Sequence, residues 1–129
     1  MSGKYLLDNN IVIALWGGDN DVVRQFNQNM LVYVPSIVFG ELYYGAKKSA
    51  RSDLNLARID EFASSVEMID VDFRDARLYG EIKDQLRKNG RPIPENDIWI
   101  AALAMRHELT LVTRDAHFQS VQGLKIEMW

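Results

Sequence analysis

Four carboxylates stand where a short α/β chain could put chemistry: Asp8, Glu41, Asp97 and Asp115. Asp8 and Asp115 each come just after an apolar run, "YLL" and "LTLV", of the kind that forms a buried strand. Glu41 and Asp97 fall in early turns of predicted helices that follow a strand or a loop. Carboxylates gathered in one place repel each other until a cation neutralises them. Hard divalent cations such as Mg2+ or Mn2+ want oxygen ligands, usually one or two direct carboxylates with waters filling the rest. A cation held this way can polarise a phosphoryl oxygen and lower the pKa of a bound water, and a second can stabilise a leaving oxygen. If the four acids converge, the chemistry they point to is therefore phosphoryl chemistry. Taken singly, each has a plainer explanation. Asp8 could cap the helix after it, Glu41 and Asp97 could complement helix dipoles, and Asp115 could cap a turn ahead of "AHFQSV".

Other chemistries have less support. His107 and His117 have no partner at metal-ligand spacing and read as surface or helix-end residues. Ser36 and Ser120 belong to no histidine–acid arrangement, there is no glycine-rich phosphate loop, and Gly17-Gly18 reads as a turn. Glu95, two residues before Asp97, reads as a first-turn helix charge. The formal net charge of −3 argues against a protein that holds nucleic acid by phosphate contacts alone. A bound cation would reconcile an acidic site with a phosphate substrate. Lys47, Lys48, Arg51 and Arg114 could then meet the rest of a strand, although each alone reads as solvated surface.

The elements that must position these residues follow from apolar periodicity and caps. Tyr5–Leu7 reads as a strand, and Asn9 or Asn10 as the cap of a helix carrying Ile11, Ile13, Leu15 and Trp16. A second helix is expected over Asp19–Asn29, a strand over Leu31–Val34, and a helix capped by Ser36. Ser52 is expected to cap a helix with Leu54, Leu56, Ile59 and Phe62 at helical spacing, before a strand over Val66–Ile69. Asp72 should cap a long helix, Phe73–Lys88, ended by Asn89-Gly90. "RPIPEND" reads as a loop into a helix over Ile98–Glu108, with Trp99, Ile100, Leu103 and Met105 in the core. A strand Leu111–Thr113, a turn at Arg114-Asp115, a short helical piece and a last strand near Lys125–Met128 complete the pattern. Short apolar strands alternating with helices imply a three-layer α/β fold, a central mostly parallel sheet flanked by helices. Ligands gather in such folds at the carboxyl ends of the strands, where the strand order reverses.

The 129 residues are expected to form one domain, 1–129, with an ordinary globular composition that is 47% hydrophobic. The chain has no cysteine, so no disulfide framework and no thiolate zinc site, which fits a reducing cytoplasm. No apolar run approaches membrane-spanning length, and "MSGKYLLDNNIV" lacks the apolar stretch of a signal peptide; no membrane association is expected.

The same residues carry a family resemblance over nearly the whole length. "YLLDNNI", "PSIVFGELYYGA", "IPENDIWIAALA" and "LTLVTRDAHF" resemble, in order, the four motifs of PIN-domain proteins, and specifically of VapC-type toxins of prokaryotic toxin–antitoxin pairs. The motif acids fall on Asp8, Glu41, Asp97 and Asp115, with Asn10 and Thr113 as supporting positions. The resemblance implies an endoribonuclease dependent on Mg2+ or Mn2+, in which water attacks the RNA phosphodiester in line to leave 5′-phosphate and 3′-hydroxyl ends. It implies Asp8 and Asp97 as principal metal ligands, Glu41 assisting through metal or water, and Asp115 as an outer or second-metal ligand. It also implies a homodimer and a cognate antitoxin protein whose C-terminal segment lies across the toxin groove. One departure is Asn9, where the family usually has Thr or Ser. Two rival readings are a phosphoacceptor signalling module with a flavodoxin-like sheet, using Asp70 or Asp72 and Thr113, and a PIN domain that binds RNA or protein without catalysis.

Overall fold

In the computed structural model, which describes residues 4–28 and 31–129, five strands form one sheet: β1 (Tyr5–Leu7), β2 (Val32–Pro35), β3 (Glu67–Ile69), β4 (Thr110–Val112) and β5 (Ile126–Glu127). Their order is β3-β2-β1-β4-β5, and all four pairings are parallel. Consecutive strand residues point to opposite faces. Leu6 and Leu7 of β1, and Leu111 and Val112 of β4, are nonetheless all fully buried, so both faces of the sheet centre are covered. Leu6 pairs with Tyr33 on one side and with Leu111 on the other, which makes β1 the strand at which the order reverses.

Six helices flank the sheet: α1 (Asn9–Trp16), α2 (Asn20–Gln28), α3 (Ser36–Lys48), α4 (Ser52–Ala63), α5 (Phe73–Lys88) and α6 (Glu95–Arg106). A 3-10 turn covers Ala116–Ser120. The three-layer α/β architecture expected from the alternation is the one observed, and the sheet is wholly parallel. Burial along α6 is nearly continuous, from Asp97 to Ala104 apart from Trp99, as befits a helix pressed between the sheet and α5. Trp99 stacks on Tyr79 of α5 with ring centroids 4.0 Å apart. Asp72 caps α5 in a capping box with Asp75, and Asp75, fully buried, accepts a 3.0 Å hydrogen bond from Arg106 of α6. Asn89 ends α5 and Gly90 follows at φ 66°, a left-handed turn that glycine adopts without strain.

Several expected boundaries shift, each for a local reason. Helix α6 begins at Glu95, three residues before Ile98, because the carbonyl of Pro94 already accepts the amides of Asp97 and Ile98, at 3.0 and 3.2 Å. Ser36 and Ser52 are first helical residues and not caps; Pro35 and Arg51 hold those positions without a side-chain bond. Strand β2 runs on through Pro35, which pairs with Ile69, so Ser36 has no extended position left to occupy. The cap of α1 is Asp8, one residue before the expected asparagines. Leu54 is exposed because α4 faces the core through Ile59 and Phe62. The expected end of the second helix, Asn29, lies outside the described residues.

Candidate active site

Asp8 leaves the sheet at the carboxyl end of β1 with its backbone amide still bonded to Val112 at 3.1 Å. It is only 3% exposed, and every carboxylate contact is local or comes from the neighbouring strand end. Oδ1 accepts the Asn9 amide at 2.8 Å, which caps α1. Oδ2 accepts the Thr113 hydroxyl at 2.8 Å and the Asn10 side-chain amide at 3.3 Å. The cap reading and the site reading of Asp8 thus describe one residue.

Thr113 and Asn10 knit the ends of β1 and β4 together. The Thr113 hydroxyl accepts the Asp115 amide at 3.1 Å while donating to Asp8. The Asn10 amide nitrogen also approaches Asp115 Oδ2 at 3.4 Å, and its oxygen accepts the Arg114 amide at 3.2 Å. This web aims Asp8 and Asp115 at one cleft of about 540 Å3, lined among others by Asn9, Glu41, Asp97 and His117. All four predicted acids reach that cleft.

Asp97 enters from the first turn of α6, whose N-terminal dipole favours a negative group. Its Oδ2 lies 2.6 Å from Nε2 of His117, on the 3-10 turn. One ligand atom each from Asp97, Asp115 and His117 lies within 4.8 Å of the others, and this trio does not include Asp8 or Glu41. His117, expected at the surface, is therefore part of the site. The signal in the sequence was slight: a histidine two residues after Asp115, held by the buried Phe118 beside it. His107 does end α6, as expected.

The electrostatics favour a cation. Burial raises the pKa of Asp8 above the ordinary carboxylate range; bonds from Thr113 and Asn9 oppose the shift, and the charges of Asp97 and Asp115 add to it. Burial likewise raises Asp97, against the lowering effect of His117. Glu41 is raised by burial and by the charges of Asp8, Asp97 and Asp115, against a hydrogen bond from Asn96. Glu41 Oε1 and Asn9 Oδ1 are buried acceptors with no donor among the described residues. Raised carboxyls and unmatched acceptor oxygens are what a divalent cation and its waters would relieve, so this donor set fits Mg2+ or Mn2+. Asn96 was not legible in advance, because only folding brings it to Glu41.

Other charges are engaged elsewhere. Arg114, a candidate strand contact, is tied to Asp19 at 2.9 Å and to the Trp129 carbonyl at 3.0 Å. Glu95 lines the cleft, but it pairs with Lys83 and accepts the Tyr79 hydroxyl at 2.6 Å. Neither Asp70 nor Asp72 lines the cleft, and Asp72 is occupied by Arg74 and Arg106, which removes the acid pair of the phosphoacceptor reading. Beside the acids lies a second depression of about 700 Å3, lined by Ile13, Trp16, Leu42, Tyr44, Lys48 and Arg58 among others.

Known proteins resemble the chain along its whole length. The model of the PIN domain matches residues 5–124. Ribonuclease VapC2 of Haemophilus influenzae is 41% identical, over 98% of each chain. The tRNA(fMet)-specific endonuclease VapC of Shigella flexneri is 36% identical, again over 98% of each. Among solved structures, DNA-bound VapBC from Salmonella typhimurium superposes with a TM-score of 0.92 at 32% identity, covering 100% of this chain and 99% of that one. VapBC2 from Rickettsia felis, bound to a DNA fragment from its promoter, gives 0.90 at 32% identity, with 97% and 98% covered. A parallel sheet of this order, an acid at the switch strand and three further acids around one cleft agree with that likeness, and the chain belongs to the PIN-domain family, in its VapC group.

Proposed function

We propose that the chain is an endoribonuclease that hydrolyses RNA phosphodiester bonds with Mg2+ or Mn2+, and that it is the toxin of a toxin–antitoxin pair. The observation that carries the reading is the meeting of Asp8, Glu41, Asp97 and Asp115 on one cleft at the switch point of the sheet. The likeness to ribonucleases of the VapC group supports the reaction class. All four acids being present tells against a silent binding domain. The 129 residues are taken as a single PIN domain, which the match over residues 5–124 supports.

In this mechanism Asp97 and Asp8 would be the principal metal ligands, assisted by Glu41 and Asp115. When bound, the cation would supply a Lewis acid for the phosphoryl oxygen and an acidified attacking water. Thr113 and Asn10 hold the carboxylates of Asp8 and Asp115 in fixed orientations, so that little reorganisation accompanies the reaction. Glu41 Oε1, buried with no donor among the described residues, can accept a proton or a hydrogen bond from a water in the cleft. Asn9 Oδ1 offers a second such acceptor where the family usually carries a hydroxyl. Lys48 and Arg58, on the adjoining depression, could meet flanking phosphates.

Two relatives are named for cleavage of tRNA(fMet), so initiator tRNA is the first substrate to test. The neighbouring VapBC structures support an antitoxin as partner, and the adjoining depression offers an apolar floor and a cationic rim for it. A homodimer and a cytoplasmic location complete the proposal. No described helix is long and apolar enough to cross a membrane. The test is RNA cleavage by metal-stripped protein, with and without Mg2+ or Mn2+, followed by end mapping. Cation-dependent products with 5′-phosphate ends are expected. Full activity in EDTA, or cyclic-phosphate ends, would sink the mechanism.

A further inference from the structure

We propose that His117 is a direct metal ligand of this site, making it a mixed nitrogen–oxygen centre that holds Mn2+ in preference to Mg2+. The inference rests on the metal-dependent reading above and assigns it a ligand that four acids do not supply. Ligand atoms bonded at about 2.1 Å to one ion lie at most about 4.2 Å apart. The chosen atoms of Asp97, Asp115 and His117 lie within 4.8 Å of one another, so modest side-chain adjustments would bring them onto one ion. The His117 nitrogen would give up any proton to solvent as it binds, and its 2.6 Å contact with Asp97 would open to about 3 Å, the spacing of adjacent ligands.

The imidazole is not a free surface group. It sits on a 3-10 turn whose next residue, Phe118, is fully buried, and its ring lies 4.9 Å from the Phe118 ring. The far end of that turn is clamped by Gln85 of α5, which donates to the Ser120 carbonyl and accepts the Gln122 amide, both at 3.1 Å. A turn held at both ends, with its imidazole already against Asp97 and near Asp115, lowers the entropy that binding would cost. Imidazole nitrogen binds first-row transition ions better than Mg2+, which is a hard ion that keeps water and carboxylate oxygens. Exchanging one oxygen for this nitrogen should therefore tilt the site from Mg2+ towards Mn2+. A histidine that only oriented Asp97 through their 2.6 Å contact would act on both ions alike.

The experiment is Mn2+ titration of the metal-stripped full chain by electron paramagnetic resonance, with nitrogen couplings read by pulsed methods and Mg2+ as competitor. Histidine-specific 15N labelling of the unaltered protein should replace the 14N coupling by a 15N one, a result that needs no variant to fold. His117→Gln should abolish the coupling and weaken Mn2+ about tenfold or more while changing Mg2+ much less. His107→Gln should leave both unchanged, and the chain has only these two histidines. Mn2+ bound without nitrogen coupling overturns the inference and leaves the metal-dependent reading standing. An equal loss of Mn2+ and Mg2+ affinity in His117→Gln also overturns it. Failure of the unaltered protein to bind Mn2+ at millimolar concentration overturns both.

Discussion

At the residue scale the site is a set of carboxyls held against their preference for water. Burial and mutual repulsion raise Asp8, Asp97 and Glu41 above ordinary carboxylate values, so ionising them in the folded protein costs more than in the unfolded chain. The folded state then binds more protons than the unfolded one between the unfolded and folded pKa values, and stability falls as pH rises through that window. Metal-free protein should accordingly be more stable at mildly acid pH and lose stability as pH climbs above the ordinary carboxylate range. Saturating Mg2+ should flatten or invert the slope, which thermal melts across pH will show. Asp19, Asp72, Asp84 and Glu95 are shifted down by their basic partners, so their contributions fall in a lower window, below the ordinary range. At neutral pH, Asp97→Asn removes one of the repelling charges and keeps the shape. The metal-free variant should melt higher than the parent, by the equivalent of about 1 kcal/mol. Millimolar Mg2+ should raise the melting temperature of the parent far more than that of the variant. If Asp97 served only the dipole of α6, Asn would lower stability slightly and Mg2+ would act on both alike.

At the element scale, rigid pieces aim these residues and one short segment is aimed by a clamp. Strands β1 and β4 and helix α6 are pinned by buried Leu6, Leu7, Leu111, Ile98 and Ile100. The 3-10 turn that presents His117 is anchored by buried Phe118 and by Gln85 from α5. Gln85→Ala should remove both clamping bonds and destabilise the protein by about 1–2 kcal/mol. Amide exchange at Gln122 should accelerate, and Mn2+ affinity should weaken as the turn loosens. Unchanged exchange at Gln122 would show that Phe118 alone holds the segment.

At the scale of the whole molecule, apolar surface survives beside the acids. Tyr44 is 65% exposed under Lys48, whose ammonium lies 4.5 Å from the ring centroid, and Ile13, which lines both the cleft and the depression, is more than half exposed. Trp16, by contrast, is half-buried, edge-on to Phe62 at 5.6 Å, so Tyr44 is the more exposed of these two aromatic residues. A partner covering the depression would bury Tyr44, and aromatic residues in such positions often dominate binding energy. Tyr44→Glu should fold normally, since the side chain is exposed, yet lose co-purification with the proposed antitoxin when the two are co-expressed. Retention of that partner at full yield would exclude the depression as the contact.

The sequence by itself determined the layered α/β order and the strand that carries Asp8, and it singled out the four acids that line one cleft, because apolar periodicity and polar residues at strand ends are local signals. Asp72 with Asn89-Gly90 bounded α5 to the residue for the same reason. Tertiary structure alone decided the strand order that brings β1 beside β4, and so the bonds from Thr113 and Asn10 that bind the two ends together. It also decided that Asn96 serves Glu41, that Arg114 turns to Asp19, and that His117 faces Asp97. These are contacts between segments remote in the chain, set by how helices pack on the sheet. No local pattern of residues encodes that packing, which is why His117 read as surface until the turn beneath it was anchored by Phe118 and Gln85.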